Sequence, residues 1–193
     1  MQQRSEETRA RLLEAARKQF SSSGYDSASV EDICVEAGVS KGAFYHHFPS
    51  KQAAFLAIFE DWLAGVDKGL EAARKPTIPD TLTNMSRMLP LIFTQADGQL
   101  PMFLEFWLQA SRDETVWKAT VAPYQRYLDF FAALVKQGIA EGSFHRVDPQ
   151  SAAQVIVSFA VGLLLQGLIA PSDTDWQKTA EQSMKILMKG LEK

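Results

Sequence analysis

SVEDICVEAGVSKGAFYHHFPSK, residues 29–51, is the stretch that decides the fold. Ser29 precedes an apolar pattern at Val30, Ile33, Cys34 and Ala37, and Asp32 stands three residues after it, as in a capping box that opens a short helix with one face to bury. Gly38 sits where a left-handed residue is wanted after the last turn. Val39 can plug the angle between two helices, and Ser40 is placed to accept a hydrogen bond from the next free amides. A second helix is predicted from Lys41. In the run KGAFYHHF, Phe44 and Phe48 lie four apart and share one face, while Lys41, Tyr45, His46 and His47 point elsewhere. The apolar face anchors this helix and leaves the other free for a partner.

The chemistry of the free face suits a DNA duplex. Gly42 and Ala43 are small enough to let the helix N-terminus approach base edges, and Tyr45, His46 and His47 can donate hydrogen bonds to phosphates flanking the groove. Lys51 opens the following helix, where its ammonium and the helix amides are expected to hold another phosphate.

These residues resemble the N-terminal DNA-binding domain of the TetR/AcrR family of bacterial regulators. The resemblance covers about residues 5–60 and rests on Phe20-Ser21-Ser22-Ser23-Gly24-Tyr25, on Ser29-Val30-Glu31-Asp32-Ile33, on Ala37-Gly38-Val39-Ser40-Lys41-Gly42, and on Phe44-Tyr45-His46-His47-Phe48 with Lys51. It implies that the helix at Ser40 to His47 enters the major groove. Lys41, Gly42, Ala43 and Tyr45 would then be base-side positions, and His46, His47 and Lys51 phosphate-side ones. With the capping serines Ser29 and Ser40, these make up the expected DNA-binding set. Phe44 departs from the family, which more often has leucine there, and should alter packing rather than readout. The rest of the chain matches the family in helical layout and length, and the resemblance implies that this larger part holds an inducer.

Each feature also has a plainer reading. Arg9, Arg11, Arg17 and Lys18 alternate with Glu6, Glu7 and Glu14, with Glu7/Arg11 and Glu14/Lys18 four apart, so they read as a solvated, self-paired helix face. His46 and His47 lack a third metal ligand at usable spacing, and the single cysteine, Cys34, lies on the buried face of the preceding helix, so no metal and no cofactor are expected. Helix-turn-helix geometry also occurs in proteins that never touch DNA.

Composition narrows the class. With 193 residues, 46% apolar and 22% charged, the chain belongs with ordinary globular proteins. MQQRSEETRARLLEAA is charged from Arg4 onward without a signal-peptide pattern, and one cysteine excludes an internal disulfide; both point to the cytoplasm. The net charge of −3 is unusual for a DNA binder, but the excess acid lies downstream: residues 1–51 hold seven basic and seven acidic groups, the remainder 13 and 16. A neutral head on an acidic body suits local recognition and argues against coating nucleic acid, which depends on many phosphate contacts.

From about Ser50 the pattern is helical to the end, broken by Pro and Gly. Helices are predicted near 51–74, 79–95, 101–111, 114–141, 149–170 and 174–191, with kinks at Pro90 and Pro123. With three N-terminal helices this gives an all-α protein of about nine helices, divided into a DNA-binding head at 1–50 and a ligand-binding and dimerisation domain at 51–193. Aromatics and methionines crowd the middle. Most are core by type, yet Trp62, Met85, Met88, Phe103, Phe106, Trp107, Tyr124 and Tyr127 are also candidates to wall an apolar ligand pocket between the helices at 79–95, 101–111 and 114–141.

Ser151 to Ser172 carries no charge and is long enough to span a membrane, but Gln154, Ser158 and Gln166 interrupt it. The better reading is a largely buried helix whose outer face meets its copy in a second subunit. Val155, Phe159, Gly162, Leu163, Gln166 and Gly167, with Met184 and Leu187 of the last helix, are the candidate dimer interface. A two-fold dimer would present two recognition helices to a near-palindromic operator in double-stranded DNA, and a small apolar or amphipathic inducer favouring another spacing would release it. Repression relieved by a ligand is the expected logic. Two other classes compete. In one, the same DNA-binding fold answers to a protein partner or to nothing. The other is an enzyme, against which stand the lack of a phosphate loop, of paired carboxylates and of a nucleophile with a base; no catalytic residue is assigned.

Overall fold

The computed structural model describes residues 2–89, 100–169 and 174–192, with nine helices among them. In chain order these are α1 (Gln2–Ser23), α2 (Val30–Ala37), α3 (Lys41–His47), α4 (Lys51–Ala72), α5 (Ile78–Ser86), α6 (Leu100–Ala110), α7 (Glu114–Ala140), α8 (Pro149–Ile169) and α9 (Trp176–Lys189). The all-α expectation and the helix order are as the sequence reads. Of the helix expected at 79–95, only Ile78–Ser86 is α5, and Pro90 and Phe93 lie outside the described residues. Pro123 falls inside α7, which runs on through it.

Helix boundaries follow from capping chemistry. Thr77 caps α5 by accepting the Asp80 amide at 3.2 Å, with Pro79 in the first turn, where its missing N–H costs nothing. Asp148 caps α8: its Oδ2 accepts the Ser151 amide at 2.8 Å and the Ser151 hydroxyl at 2.7 Å, which holds its carboxyl below the usual carboxylate range. The turn after α7 needs Gly142 at φ 83°. Gly138 is needed for closeness instead, since a Cβ there would meet Cδ2 of the buried Phe144 at 2.4 Å.

The chain divides into two compact units, Met1–Gly65 with Gly98–Thr120, and Val66–Asp97 with Val121–Lys193. The first is built on α1, where Leu12, Leu13, Ala15, Ala16 and Phe20 are buried against α2, α3 and α6. Its centre is aromatic: Phe20, Tyr25 and Phe55 meet pairwise with ring centroids 4.7–5.5 Å apart, and Phe106 lies 4.4 Å from Phe55 and 4.5 Å from Phe59. The expected pairing on α1 is corrected: Glu14 is met by Arg17, which also reaches Asp61, and Lys18 reaches Glu36 of α2. These basic groups therefore fasten α1 to its neighbours.

The second unit packs Ile78, Leu82 and Met85 of α5, Leu134 and Val135 of α7, Ile156 of α8 and Met184 and Met188 of α9 into one core, with Phe144 beneath the α7–α8 turn. Arg87 grips Glu181 at 3.0 and 3.2 Å, joining the end of α5 to α9, and this pairing, with Lys185 added, pulls the Glu181 carboxyl down to about 2. By length and composition α8 is apolar enough to cross a membrane, with mean hydropathy 1.3 over Pro149–Gly167. Ala152, Ala153, Ile156, Val157, Leu163 and Leu164 are nevertheless buried in the protein, as in a core helix.

Candidate nucleic-acid interface

Ser29 closes a full capping box: its Oγ accepts the Asp32 amide at 3.1 Å, and Asp32 Oδ2 accepts the Ser29 amide at 3.3 Å. Gly38 ends α2 at φ 64°, and its amide and that of Val39 return to the carbonyls of Val35 and Cys34. Ser40 then caps α3 by accepting the Ala43 amide at 3.2 Å. Two short helices are thus set at a fixed turn by side chains that the sequence displays openly. Ile33, Cys34 and Ala37 of α2, Phe44 of α3 and Phe48 capping its end supply the buried side, with Arg9 of α1 stacked 5.5 Å over the Phe48 ring. A phenylalanine at position 44 is accommodated without exposure.

What α3 leaves outside is Lys41, Gly42, Tyr45 and His46, with Ala43 and His47 half-buried. Tyr45 is 54% exposed, and its ring packs edge-on against Phe44 at 5.4 Å. At Gly42 an added methyl would meet only Ser40 Oγ at 3.7 Å, an ordinary contact, so the head itself does not require glycine there. His46 and His47 stand with ring centroids 5.2 Å apart, and burial, His46 and Arg9 together hold His47 below its usual value. No group of three potential metal ligands occurs among the described residues.

Two basic residues of the expected set are engaged within the protein. Lys41 Nζ donates to Glu31 Oε2 at 2.7 Å, an exposed pair that raises the lysine's affinity for its proton and that a phosphate can displace. Lys51 is held more firmly. Its ammonium donates to the carbonyls of Tyr25 at 2.7 Å, Ala28 at 2.9 Å and Asp26 at 3.4 Å, and lies 4.4 Å from the centre of the Tyr25 ring. The α4 cap comes from Ser50, whose Oγ accepts the Ala53 amide at 3.0 Å.

The expected pocket residues fall in different surroundings. Phe106 is buried in the aromatic cluster of the first unit, where Trp62 stacks 6.0 Å from Phe59; Trp107 lies in the same unit and is exposed, and the Phe103 side chain lies outside the described residues. Met85 and Met88 are in the second unit, where a Cβ at Gly69 would strike Met88 Cε at 2.0 Å. Tyr127, also there, donates to Asp67 at 2.8 Å, and burial, with that bond, pushes its hydroxyl well above its usual value. Tyr124 Oη accepts from Gln154 at 2.8 Å. The same unit contains a small, partly open apolar recess lined by Leu70 of α4, Leu82 and Met85 of α5, Phe131 of α7, Ile156 and Phe159 of α8 and Met184 of α9, among others. Of the seven pocket candidates whose side chains are described, Met85 alone lines it. Phe131 and Phe159 were legible as apolar, but their convergence depends on packing between distant helices.

On the outer face of α8, Ser151, Gln154, Val155, Ser158, Leu165, Gln166 and Ile169 form one exposed, uncharged stripe at helical spacing. Val155 and Gln166 of the expected dimer face lie in it, and at Gly162 a Cβ would meet nothing within 4 Å. Leu163, Gly167 and Met184 are buried within the protomer, while Phe159 and Leu187 are half-buried and pack against its core. Leu165 and Ile169 share the stripe and escaped the sequence reading, although the three- and four-residue spacing from Val155 and Ser158 carries them.

Comparison with known proteins accounts for most of the chain. Residues 12–58 match the model for bacterial regulatory proteins of the tetR family, and residues 85–192 match the C-terminal domain of BetI-type transcriptional repressors. The HTH-type transcriptional regulator UidR of Escherichia coli K12 is 25% identical over 99% of this chain and 96% of its own length. Among solved structures, a regulator of Saccharomonospora viridis in complex with choline superposes with TM-score 0.82 at 20% identity, covering 97% of this chain and 99% of that one. The regulator FadR of Bacillus subtilis in complex with stearoyl-CoA gives TM-score 0.82 at 18% identity, covering 94% of this chain and 98% of that one. With both family models matched in chain order across head and body, the chain belongs to the tetR family of DNA-binding transcriptional regulators.

Proposed function

We propose that this regulator is a homodimeric repressor that binds a near-palindromic operator in the cytoplasm and is released by a small ligand held in its C-terminal part. The functional division falls after Ser50: residues 1–50 read DNA, and residues 51–193 dimerise and sense. The observation that carries the DNA reading is α3, where capping and burial leave Lys41, Gly42 and Tyr45 exposed beside the half-buried Ala43, with His46 and His47 at the helix end. The first four suit base edges and the histidines suit phosphates. Ser29 and Ser40 act by fixing the helix starts. The uncharged stripe of α8, which includes Val155 and Gln166 and has open space beside Gly162, supports two-fold pairing.

The second-unit recess is the favoured inducer site. Its wall is aliphatic, methionine and aromatic, and its polar group, Ser86, already donates to the Thr83 carbonyl at 2.8 Å. The lining residues present no charge, so a ligand that opens this recess would be uncharged and apolar. Relatives in fold hold choline and stearoyl-CoA, which supports ligand sensing without dictating its chemistry here. Leu70 places α4 on the recess wall, and α4 begins at the turn after α3, so a ligand that prefers one setting of α4 would lower DNA affinity by that preference.

The test is fluorescence anisotropy of the protein with the DNA upstream of its own gene, against scrambled competitor at physiological salt. Competitor-resistant binding at two protomers or a multiple per site, reversed by an apolar compound that also raises the melting temperature, is the expected result. Binding no tighter than to scrambled DNA refutes self-regulation. Compounds that stabilise the protein without releasing DNA refute the inducer role.

A further inference from the structure

Among the described residues of the first unit, Lys51 is a basic group whose donors are all used inside the protein. Three protons meet three carbonyls, those of Tyr25, Asp26 and Ala28, and the Tyr25 ring closes the remaining side at 4.4 Å. These carbonyls belong to the loop that leaves α1 through Gly24, at φ 78°, and delivers Ser29 to the capping box of α2. Tyr25 is itself wedged between Phe20 of α1 and Phe55 of α4. Lys51 therefore ties the first turn of α4 to the segment that sets where α2, and with it α3, begins.

We propose that Lys51 is a positioning residue for DNA recognition: it fixes the α1–α2 loop and the placement of the helix-turn-helix, and it does not neutralise a phosphate. Beyond the long Asp26 contact at 3.4 Å, a phosphate could be met only if the ammonium gave up the part-buried carbonyl of Tyr25 or Ala28, held at 2.7 and 2.9 Å. Lys41 differs, because its partner is a single exposed carboxylate.

The two roles separate in the salt dependence of binding. A lysine that neutralises a phosphate contributes to counterion release, so its loss lowers the slope of log affinity against log salt by about one. Loss of a positioning residue weakens binding at every salt concentration and leaves the slope alone. The experiment uses the full chain and the tightest duplex it selects from a random-sequence pool, with wild type, Lys51→Met, Lys51→Arg and, as a reference for phosphate or base contact, Lys41→Met. Lys51→Met keeps the stem over the Tyr25 ring while removing the donors; Lys51→Arg keeps the charge but not the compact three-way geometry.

The expected result is a loss of about tenfold or more for both Lys51 variants with the wild-type slope, while affinity for scrambled duplex changes little. A slope reduced by about one in Lys51→Met, or full affinity in Lys51→Arg, overturns the proposal in favour of a phosphate contact. Unchanged affinity in Lys51→Met overturns it as well. Should Lys51→Met not fold, Lys51→Arg decides alone. Failure of the wild-type chain to select any duplex would instead refute DNA recognition by α3, a separate outcome.

Discussion

Lys41 Nζ lies 2.7 Å from Glu31 Oε2, so the first residue of α3 is tethered to an acid on α2 rather than pointing unopposed toward a partner. The pair is exposed on both sides, and such pairs hold weakly. Their effect on an approaching polyanion is larger than on the fold, since Glu31 both occupies the lysine and repels phosphate. Glu31→Gln is expected to tighten operator binding by about two- to fivefold at low salt, with the gain shrinking as salt rises. Titration at two salt concentrations checks it; unchanged or weaker binding would place Lys41 away from the duplex.

His47 gives a pH dependence with a definite sign. In the free protein burial, first of all, and then His46 and Arg9 hold its pKa below the ordinary 6.5. The unfolded chain therefore binds this proton more readily, and the stability contributed by neutral His47 is complete above about 6.5 and is lost as pH falls through the window down to the folded value. A neighbouring phosphate reverses the bias by favouring the imidazolium. Operator affinity is expected to rise as pH drops from 8 toward 6, and the His47→Gln variant, with His46 left in place, should show a flatter profile. Parallel profiles for the two proteins would take His47 off the phosphate side.

If the α8 stripe is the dimer face proposed above, substitutions on it should separate dimerisation from folding. Val155 is 55% exposed and Ile169 82% exposed, whereas Leu164 of the same helix is 6% exposed. Val155→Glu and Ile169→Glu should convert a sedimenting dimer to monomer while changing protomer stability by no more than about 0.5 kcal/mol, as surface substitutions do. Leu164→Glu buries an unpaired charge and is expected to cost several kcal/mol, unfolding the protomer at ambient temperature. A stable dimer of Val155→Glu would move the interface off this face.

Local chemistry made the head legible. The capping box at Ser29 and Asp32, the left-handed Gly38, the Ser40 cap and the Phe44/Phe48 face each depend on residues within a turn of one another, and all are present. What sequence concealed lies far apart in the chain. The carbonyl partners of Lys51 are 23–26 residues away, so an exposed-looking lysine at a helix start gave no sign that its donors were used. Phe106 read as pocket wall because its type fits one, yet Phe55 and Phe59 enclose it. The recess forms where Leu70, Phe131 and Phe159 converge from three helices, a meeting that periodicity on any one of them does not announce.

Gly42 offers the sharpest division between stability and recognition. Glycine in a helix costs roughly 0.5–1 kcal/mol relative to alanine, less in the first turn, and here a Cβ would touch only Ser40 Oγ at 3.7 Å. Nothing inside the head repays that cost. The residue is explained if the α3 backbone must come close to a base edge or phosphate, where a methyl group has no room. Gly42→Ala is expected to raise the melting temperature slightly, through a gain of a few tenths of a kcal/mol, while weakening operator binding by about tenfold or more. Differential scanning calorimetry and anisotropy on the same preparation check both halves. Equal or tighter DNA binding by the alanine variant would mean that α3 does not approach the duplex through its first turn.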